Sequence, residues 1–327
     1  MSTFKAVRVT QDGGKAAGVL TETTLDEIDA GEVVIASRFA SINYKDALAV
    51  TGRGRIMTRF PCIAGIDVAG VVEGSSDERF KVGDAVFVNG FGLGVSHDGG
   101  FSERVRVPAD WVIAVPAGMT LLDVGTLGVA GFTAALAIHL LEHNGLTPDS
   151  GDVLVNGATG GCGSIGIDML ARRGYHVVAL TSKAESRSYL KELGAAEVWL
   201  RSELELGKKP LEKSQFAGAL DSVGGEQLSW LTRSMQENGV IGAFGNAGGA
   251  ELATSVFPFI LRGVRLIGVN SNAPMALRQQ VWARIATDLK PRNLDKIGFP
   301  IAIDQVIEQC ERSVAGSVQG RAVVNYA

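Results

Sequence analysis

The stretch Val153-Leu154-Val155-Asn156-Gly157-Ala158-Thr159-Gly160-Gly161-Cys162-Gly163-Ser164-Ile165-Gly166 holds the residue types and spacing of a phosphate cradle. An apolar strand runs into a glycine-rich turn and then into the opening of a helix. Glycines let the backbone turn tightly and approach a pyrophosphate, while free N–H groups at the helix start supply donors and partial positive charge. Ala158, Gly160 and Gly163 occupy the three fingerprint places of a dinucleotide site, and Thr159, Gly160, Gly161, Cys162 and Gly163 are its candidate contacts. A second apolar strand, Tyr175-His176-Val177-Val178-Ala179-Leu180, completes a βαβ unit. Beyond it stands Thr181-Ser182-Lys183, with no acid to hold a ribose 2′-hydroxyl. Two hydroxyls and an ammonium suit a 2′-phosphate, so NADPH is the expected cofactor. Arg187 either joins them or lies on a solvated helix face.

Around this unit the texture of the chain changes once. Residues 4–115 read as short β runs (5–9, 32–40, 69–73, 85–89, 101–107) broken by Gly, Pro and Asp, which predicts a partly closed β barrel. From about residue 121 helices (122–143, 164–173, 184–193, 225–236) alternate with strands (152–156, 175–180, 196–200, 217–221, 239–244, 264–269), which predicts a doubly wound parallel sheet. Helices at 275–289 and 304–315 and a strand at 320–325 return to the barrel. The expected architecture is α/β, with a nucleotide domain at 125–270 inserted into a catalytic domain made of 1–124 and 271–327. Carboxyl ends of parallel strands bind ligands. Arg201 is therefore placed near the adenosine phosphate, and Phe244-Gly245 and Val269-Asn270 near the nicotinamide. Gly248-Gly249 reads as a loop hinge.

With 46% hydrophobic and 20% charged residues, the 327-residue chain has an ordinary globular composition. A net charge of −4 provides no field to recruit nucleic acid or an anionic membrane. The amino terminus lacks the apolar core of a signal peptide, and no apolar run is expected to span a membrane, so a cytoplasmic protein is expected. Three separated cysteines, Cys62, Cys162 and Cys310, fit a reducing compartment and exclude a four-cysteine zinc site.

Together with Gly65-Ile66-Asp67-Val68-Ala69-Gly70, Val82-Gly83-Asp84-Ala85-Val86, Gly99-Gly100-Phe101-Ser102-Glu103 and Gly320-Arg321-Ala322-Val323-Val324, these blocks resemble the medium-chain dehydrogenase/reductase superfamily over nearly the whole chain. The resemblance implies a GroES-like barrel carrying a Rossmann domain. Zinc members have Gly-His-Glu where this chain has Gly65-Ile66-Asp67, and a cysteine ligand in the Ser41-Ile42-Asn43-Tyr44 region. Both ligands are absent, and a catalytic zinc needs three protein donors, so no metal is expected. His139 and His143 share a helix face without an evident third ligand. Asn43-Tyr44-Lys45-Asp46-Ala47-Leu48, Pro61-Cys62-Ile63-Ala64-Gly65 and Phe257-Pro258-Phe259-Ile260-Leu261-Arg262 are similar to one zinc-free subgroup, the acrylyl-coenzyme A reductases of the AcuI/YhdH type. Cys162 stands where such turns usually carry Val.

What this resemblance implies is NADPH-dependent reduction of the acrylyl-CoA double bond. Hydride addition to the β carbon builds charge on the thioester oxygen, which hydrogen-bond donors must stabilise. The run 43–46 replaces a zinc-ligand loop and is thereby placed at the nicotinamide. Tyr44 would stack on the ring or donate its phenol, and Asn43 would donate an amide proton. Asn43 and Asp46 equally well cap the helix that begins there. Lys45, Arg53, Arg55 and Arg59 either hold the CoA phosphates or form an exposed basic loop. Thr133 is placed by the resemblance at the nicotinamide amide. Arg321 reaches cofactor or substrate, or makes a surface ion pair. Analogy with related dimers also pairs the strand at 264–269 across a two-fold axis. General reduction of quinones or enones is the alternative activity, and non-catalytic NADPH binding a further one.

Overall fold

A computed structural model describes residues 2–326. The first strands follow the turn chemistry of the sequence. Gly13 and Gly14, at φ +52° and +83°, close a tight hairpin between β1 (Phe4–Asp12) and β2 (Lys15–Thr23), which sequence reading overlooked. After these come β3 (Val33–Ser41), α1 (Tyr44–Val50), β4 (Cys62–Ile63), β5 (Asp67–Ser75), β6 (Ala85–Asn89), β7 (Arg104–Val107) and β8 (Ile113–Ala114). A long helix, α2 (Leu121–His143), leads out of this region.

The alternating part holds β9 (Asp152–Val155), α3 (Gly161–Arg172), β10 (Val177–Thr181), α4 (Arg187–Glu192), β11 (Glu197–Leu200), β12 (Phe216–Asp221), α5 (Gly225–Ser234), β13 (Met235–Ala243), α6 (Phe257–Arg262), β14 (Arg265–Gly268) and α7 (Met275–Ile285). The strand order β11-β10-β9-β12-β13-β14, parallel throughout, is the doubly wound order of a Rossmann sheet. Its central strands are buried on both faces, which explains their unbroken apolar runs. The chain then closes with α8 (Leu294–Ile297), β15 (Gly298–Ile301), α9 (Val306–Val314) and β16 (Arg321–Asn325). β15 and β16 complete a seven-stranded sheet ordered β15-β16-β3-β5-β6-β8, with β7 beside β3, while β2-β1-β4 forms a smaller one.

Two compact units result: Met1–Val129 with Leu294–Ala327, and Ala130–Asn293. The second boundary falls well after residue 270, so α7, expected with the barrel, belongs to the nucleotide unit. The reason is packing: Trp282 of α7 stacks on Phe132 of α2 at 6.5 Å, and the Arg292 and Asn293 amides donate to buried Asp168 of α3 at 2.9 and 2.8 Å. Among the described residues α2 is the one helix long and apolar enough to cross a membrane, contrary to the sequence expectation, but 83% of its apolar window is buried inside the protein. It is also interrupted. Gly128 has φ 45° and ψ −145°, a conformation closed to residues with a Cβ.

Candidate active site

In the nucleotide unit, β9 delivers Asn156 to the start of the glycine turn. Its amide donates to Asp221 at the end of β12 and its side-chain oxygen accepts the Ser222 N–H at 2.8 Å. Asp221 in turn accepts the Gly224 N–H at 3.0 Å. Both side chains are fully buried, and burial raises the Asp221 pKa against the pull of these donors. This brace was missed in the sequence, although a polar residue ending each of two apolar strands was its signal. Beyond it, Gly160 caps α3 and its amide donates to Gly157 O at 3.0 Å. A Cβ on Gly163 would lie 2.5 Å from Gly157 O, so only glycine lets the helix approach the turn so closely. Ser164 Oγ donates to Ala158 O at 3.2 Å and receives the Tyr189 hydroxyl at 2.9 Å, pinning the turn from below. Thr159 is buried, while Gly160, Gly161 and Cys162 are partly accessible in the first turn of α3. This places an accessible helix start, where the partial positive charge of the helix favours an anion, at the end of the glycine turn.

Because the strands run parallel, their carboxyl ends share one edge of the sheet with this turn. Thr181 is buried, Ser182 exposed and Lys183 half-buried; the Lys183 N–H donates to Thr181 Oγ1 at 3.0 Å, and burial lowers the Lys183 pKa. Arg187 points elsewhere, to Val198 O at 2.8 Å and Glu203 at 3.3 Å. Arg201 is held by Leu204 O at 3.1 Å and lies 3.6 Å from Glu226. Phe244-Gly245 and Val269-Asn270 follow β13 and β14 directly: the Phe244 amide donates to Asp221 O and the Val269 amide to Ala243 O, each at 2.9 Å. Thr133 is buried within α2.

In the barrel unit, Asn43, Asp46 and Arg321 meet inside a buried network with Ser41 and Asp67. Asn43 caps α1, and its backbone amide and side-chain Nδ2 each donate to Asp46 Oδ2 at 2.9 Å; Nδ2 also lies 2.8 Å from Asp67 Oδ2. Asp46 Oδ1 accepts the Ile66 N–H at 2.9 Å. Arg321 donates to Thr126 O at 2.7 Å, to Asn43 Oδ1 at 3.1 Å and to Ser41 Oγ, and lies 3.5 Å from Asp67. The surface ion pair considered for Arg321 is therefore excluded, since its side chain is 2% exposed. Asn43 uses its amide protons within the network, which favours its capping role. Burial first, and Asp67 second, push the Asp46 carboxyl up to about 7, opposed by the three N–H donors. Where α2 breaks at Gly128, the Val129 amide donates to Asp67 Oδ2 at 3.1 Å. Tyr44, at the first position of α1, is 40% exposed and is, with Lys45, an accessible member of the run.

The basic loop divides. Lys45 and Arg55 are exposed and, among the described residues, form no ion pair. Arg53 pairs with Glu311 at 2.8 Å, and Arg59 is occupied by Asp29, Ser96 O and Pro61 O, so Arg59 clamps loops instead of offering its charge outward. A zinc site does not fit this chemistry. The region 41–44 holds no cysteine, buried Ile66 stands at the histidine place, and burial pushes the Cys62 thiol up to about 12, far from a thiolate at neutral pH. No group of three or more His, Cys, Asp or Glu placed to hold a metal occurs among the described residues.

Comparison with known proteins agrees with this architecture. Residues 29–117 match the alcohol dehydrogenase GroES-like domain, and residues 161–287 match the family described as zinc-binding dehydrogenase. Acrylyl-CoA reductase AcuI of Ruegeria pomeroyi is 41% identical, over 98% of this chain and 99% of that one. YhfP of Bacillus subtilis, whose name assigns it provisionally to the quinone oxidoreductases, is 42% identical over 99% of both; its structure with NAD bound superposes with a TM-score of 0.96 at 40% identity, covering 99% and 100% of the two chains. The YhdH oxidoreductase of Salmonella enterica in complex with NADP gives a TM-score of 0.95 at 40% identity, covering 99% of this chain and all of that one. The fold and site thus define a medium-chain dehydrogenase/reductase. The chain belongs to the zinc-free, quinone oxidoreductase-like branch of that family, with the acrylyl-CoA reductases of the AcuI/YhdH type, and is an oxidoreductase.

Proposed function

We propose that this protein reduces the carbon–carbon double bond of acrylyl-CoA to give propionyl-CoA, using NADPH, in the cytoplasm. The observation that carries the substrate is the 41% identity to AcuI along essentially the full chain. Thr181, Ser182 and Lys183 at the end of β10, with no carboxylate on the strand end, support NADPH. The glycine turn at the start of α3, with Gly161 at its first position, would hold the pyrophosphate and Lys183 the 2′-phosphate; Thr133, Phe244-Gly245 and Val269-Asn270 would frame the nicotinamide. When bound, NADPH supplies the hydride for the β carbon, and the α carbon of the resulting enolate takes a proton from water. Tyr44 is the residue of the barrel unit assigned to the reacting end, its phenol donating to the thioester oxygen as charge builds there. The buried network behind it fixes the start of α1 and so the backbone from which Tyr44 projects. Lys45 and Arg55 are assigned to the CoA phosphates.

A general quinone reductase is the second reading, favoured by the similarity to YhfP; the NAD in that protein's structure makes NADH the control. NADPH oxidation with acrylyl-CoA, crotonyl-CoA and a benzoquinone in parallel, repeated with NADH, separates the readings. Fast turnover confined to NADPH and acrylyl-CoA is expected, with Tyr44→Phe reduced about 100-fold in kcat and little changed in KM for NADPH. Turnover of quinone alone overturns the substrate assignment.

A further inference from the structure

Arg278 of α7 is fully buried at 0% exposure and takes no part in the chemistry described so far. Its Nε donates to Ala273 O at 2.9 Å and its Nη2 to Ser271 O at 2.8 Å. Its Cζ lies 5.0 Å from the centre of the Phe132 ring, against which Trp282, one turn further along α7, also stacks. One guanidinium therefore joins two segments: the turn at 270–273 that leaves β14, and the Phe132-Thr133 step of α2. A buried charge is costly unless its donors are satisfied, and burial pulls this group down to about 10, which leaves it charged at neutral pH. The planar fork reaches two carbonyls at once while its face meets an aromatic ring. A lysine ammonium cannot do all three.

We propose that Arg278 is a positioning residue for the nicotinamide end of the cofactor site: it fixes Val269-Asn270 through the carbonyls of Ser271 and Ala273, and Thr133 through Phe132. The inference rests on the NADPH reading given above. Both segments it joins are those assigned to the nicotinamide, and neither belongs to the turn or strand end assigned to the adenosine phosphates. Its loss must therefore act unequally on the two ends of the cofactor.

Calorimetric titration of the whole protein with NADPH and with 2′,5′-ADP, which carries only the adenosine end, reads this asymmetry. In Arg278→Lys the Kd for NADPH is expected to weaken about tenfold, equivalent to ~1.4 kcal/mol, with the Kd for 2′,5′-ADP unchanged. Phe132→Leu removes the ring contact and keeps the arginine; it is expected to weaken NADPH binding by a smaller factor, again sparing 2′,5′-ADP. It carries the test if Arg278→Lys does not fold. Equal weakening of both ligands, or unchanged NADPH affinity in the folded variants, overturns the proposal. Failure of the unmodified protein to bind 2′,5′-ADP overturns the cofactor reading itself, and shows before any variant is made.

Discussion

The exposed cations near α1 differ in what they can offer a substrate. Arg53 is already neutralised by Glu311, in a pair open to water that contributes little to stability. Arg55 holds its charge free, so Arg55→Ala should raise KM for acrylyl-CoA about threefold while KM for a small quinone stays the same, an effect that shrinks at high salt. Steady-state kinetics at two ionic strengths check this, and equal change on both substrates removes the CoA role. Asp46 makes a different kind of prediction. Its carboxyl is raised to about 7 in the fold against an ordinary 3.8, so between those values the native state holds a proton that the unfolded chain has released. Stability contributed by that proton is full below 3.8 and is lost as pH rises through 7. Thermal midpoints should accordingly fall from pH 5 to pH 8, with a slope approaching about 1.4 kcal/mol per pH unit where it is steepest. Asp46→Asn should start lower, because its NH2 must face either the Asn43 donors or the Ile66 amide, yet show a shallower fall. A flat profile in the unmodified protein contradicts the assignment. The cap at Asn43 and Asp46 was legible from its motif; Asp46's burial was not, because a cap in water and a cap in a core have the same sequence.

At the scale of elements, legibility followed periodicity. The short apolar runs of β9, β10 and β12, alternating with helical segments, read as buried parallel strands, and the glycine spacing announced α3. α7 was misassigned because a helix pattern states which face is apolar but not which unit supplies the partner; Phe132, 150 residues earlier, is that partner. The break in α2 was also invisible, since Gly128 sits inside an otherwise continuous apolar helix pattern. Its cause lies outside the helix: a Cβ there would come 2.3 Å from Asp67 Oδ2 and 2.6 Å from Ser41 Oγ. The break also frees the Val129 amide to donate to Asp67. Gly128→Ala must therefore both strain the backbone and push apart the carboxylate network behind Tyr44. A loss of about 3 kcal/mol or more in denaturant unfolding is expected. If the change costs less than about 1 kcal/mol, the network tolerates displacement and its role in holding α1 is refuted.

At the scale of the whole molecule, the parallel sheet ends in two edge strands, β11 and β14, and β14 is the one with no buried residue. β14 ends the order β11-β10-β9-β12-β13-β14, and its residues are exposed or half-buried, in contrast to the buried strands at the centre. Beside it in sequence stands an apolar patch: Leu252, Val256, Phe257, Ile260 and Leu261 are from 42% to 68% exposed. An open edge next to exposed apolar side chains is a liability for an isolated chain, whether it is met by aggregation or by a specific partner. A two-fold axis beside β14 meets both requirements at once, because an edge strand can pair antiparallel with its own copy and bring two α6 patches under cover. Homodimerisation through β14 and α6 is accordingly the expected state. Ile260 and Leu261 contribute little to the interior of a single chain at 68% and 61% exposure, so Ile260→Asp with Leu261→Asp should leave the fold intact. Sedimentation velocity is expected to give twice the chain mass for the unmodified protein and the chain mass for the double variant, with the circular dichroism spectrum unchanged. If the unmodified protein sediments as a single chain, the patch needs another partner; if the double variant remains a dimer, the interface lies elsewhere and β14 is covered by some other means.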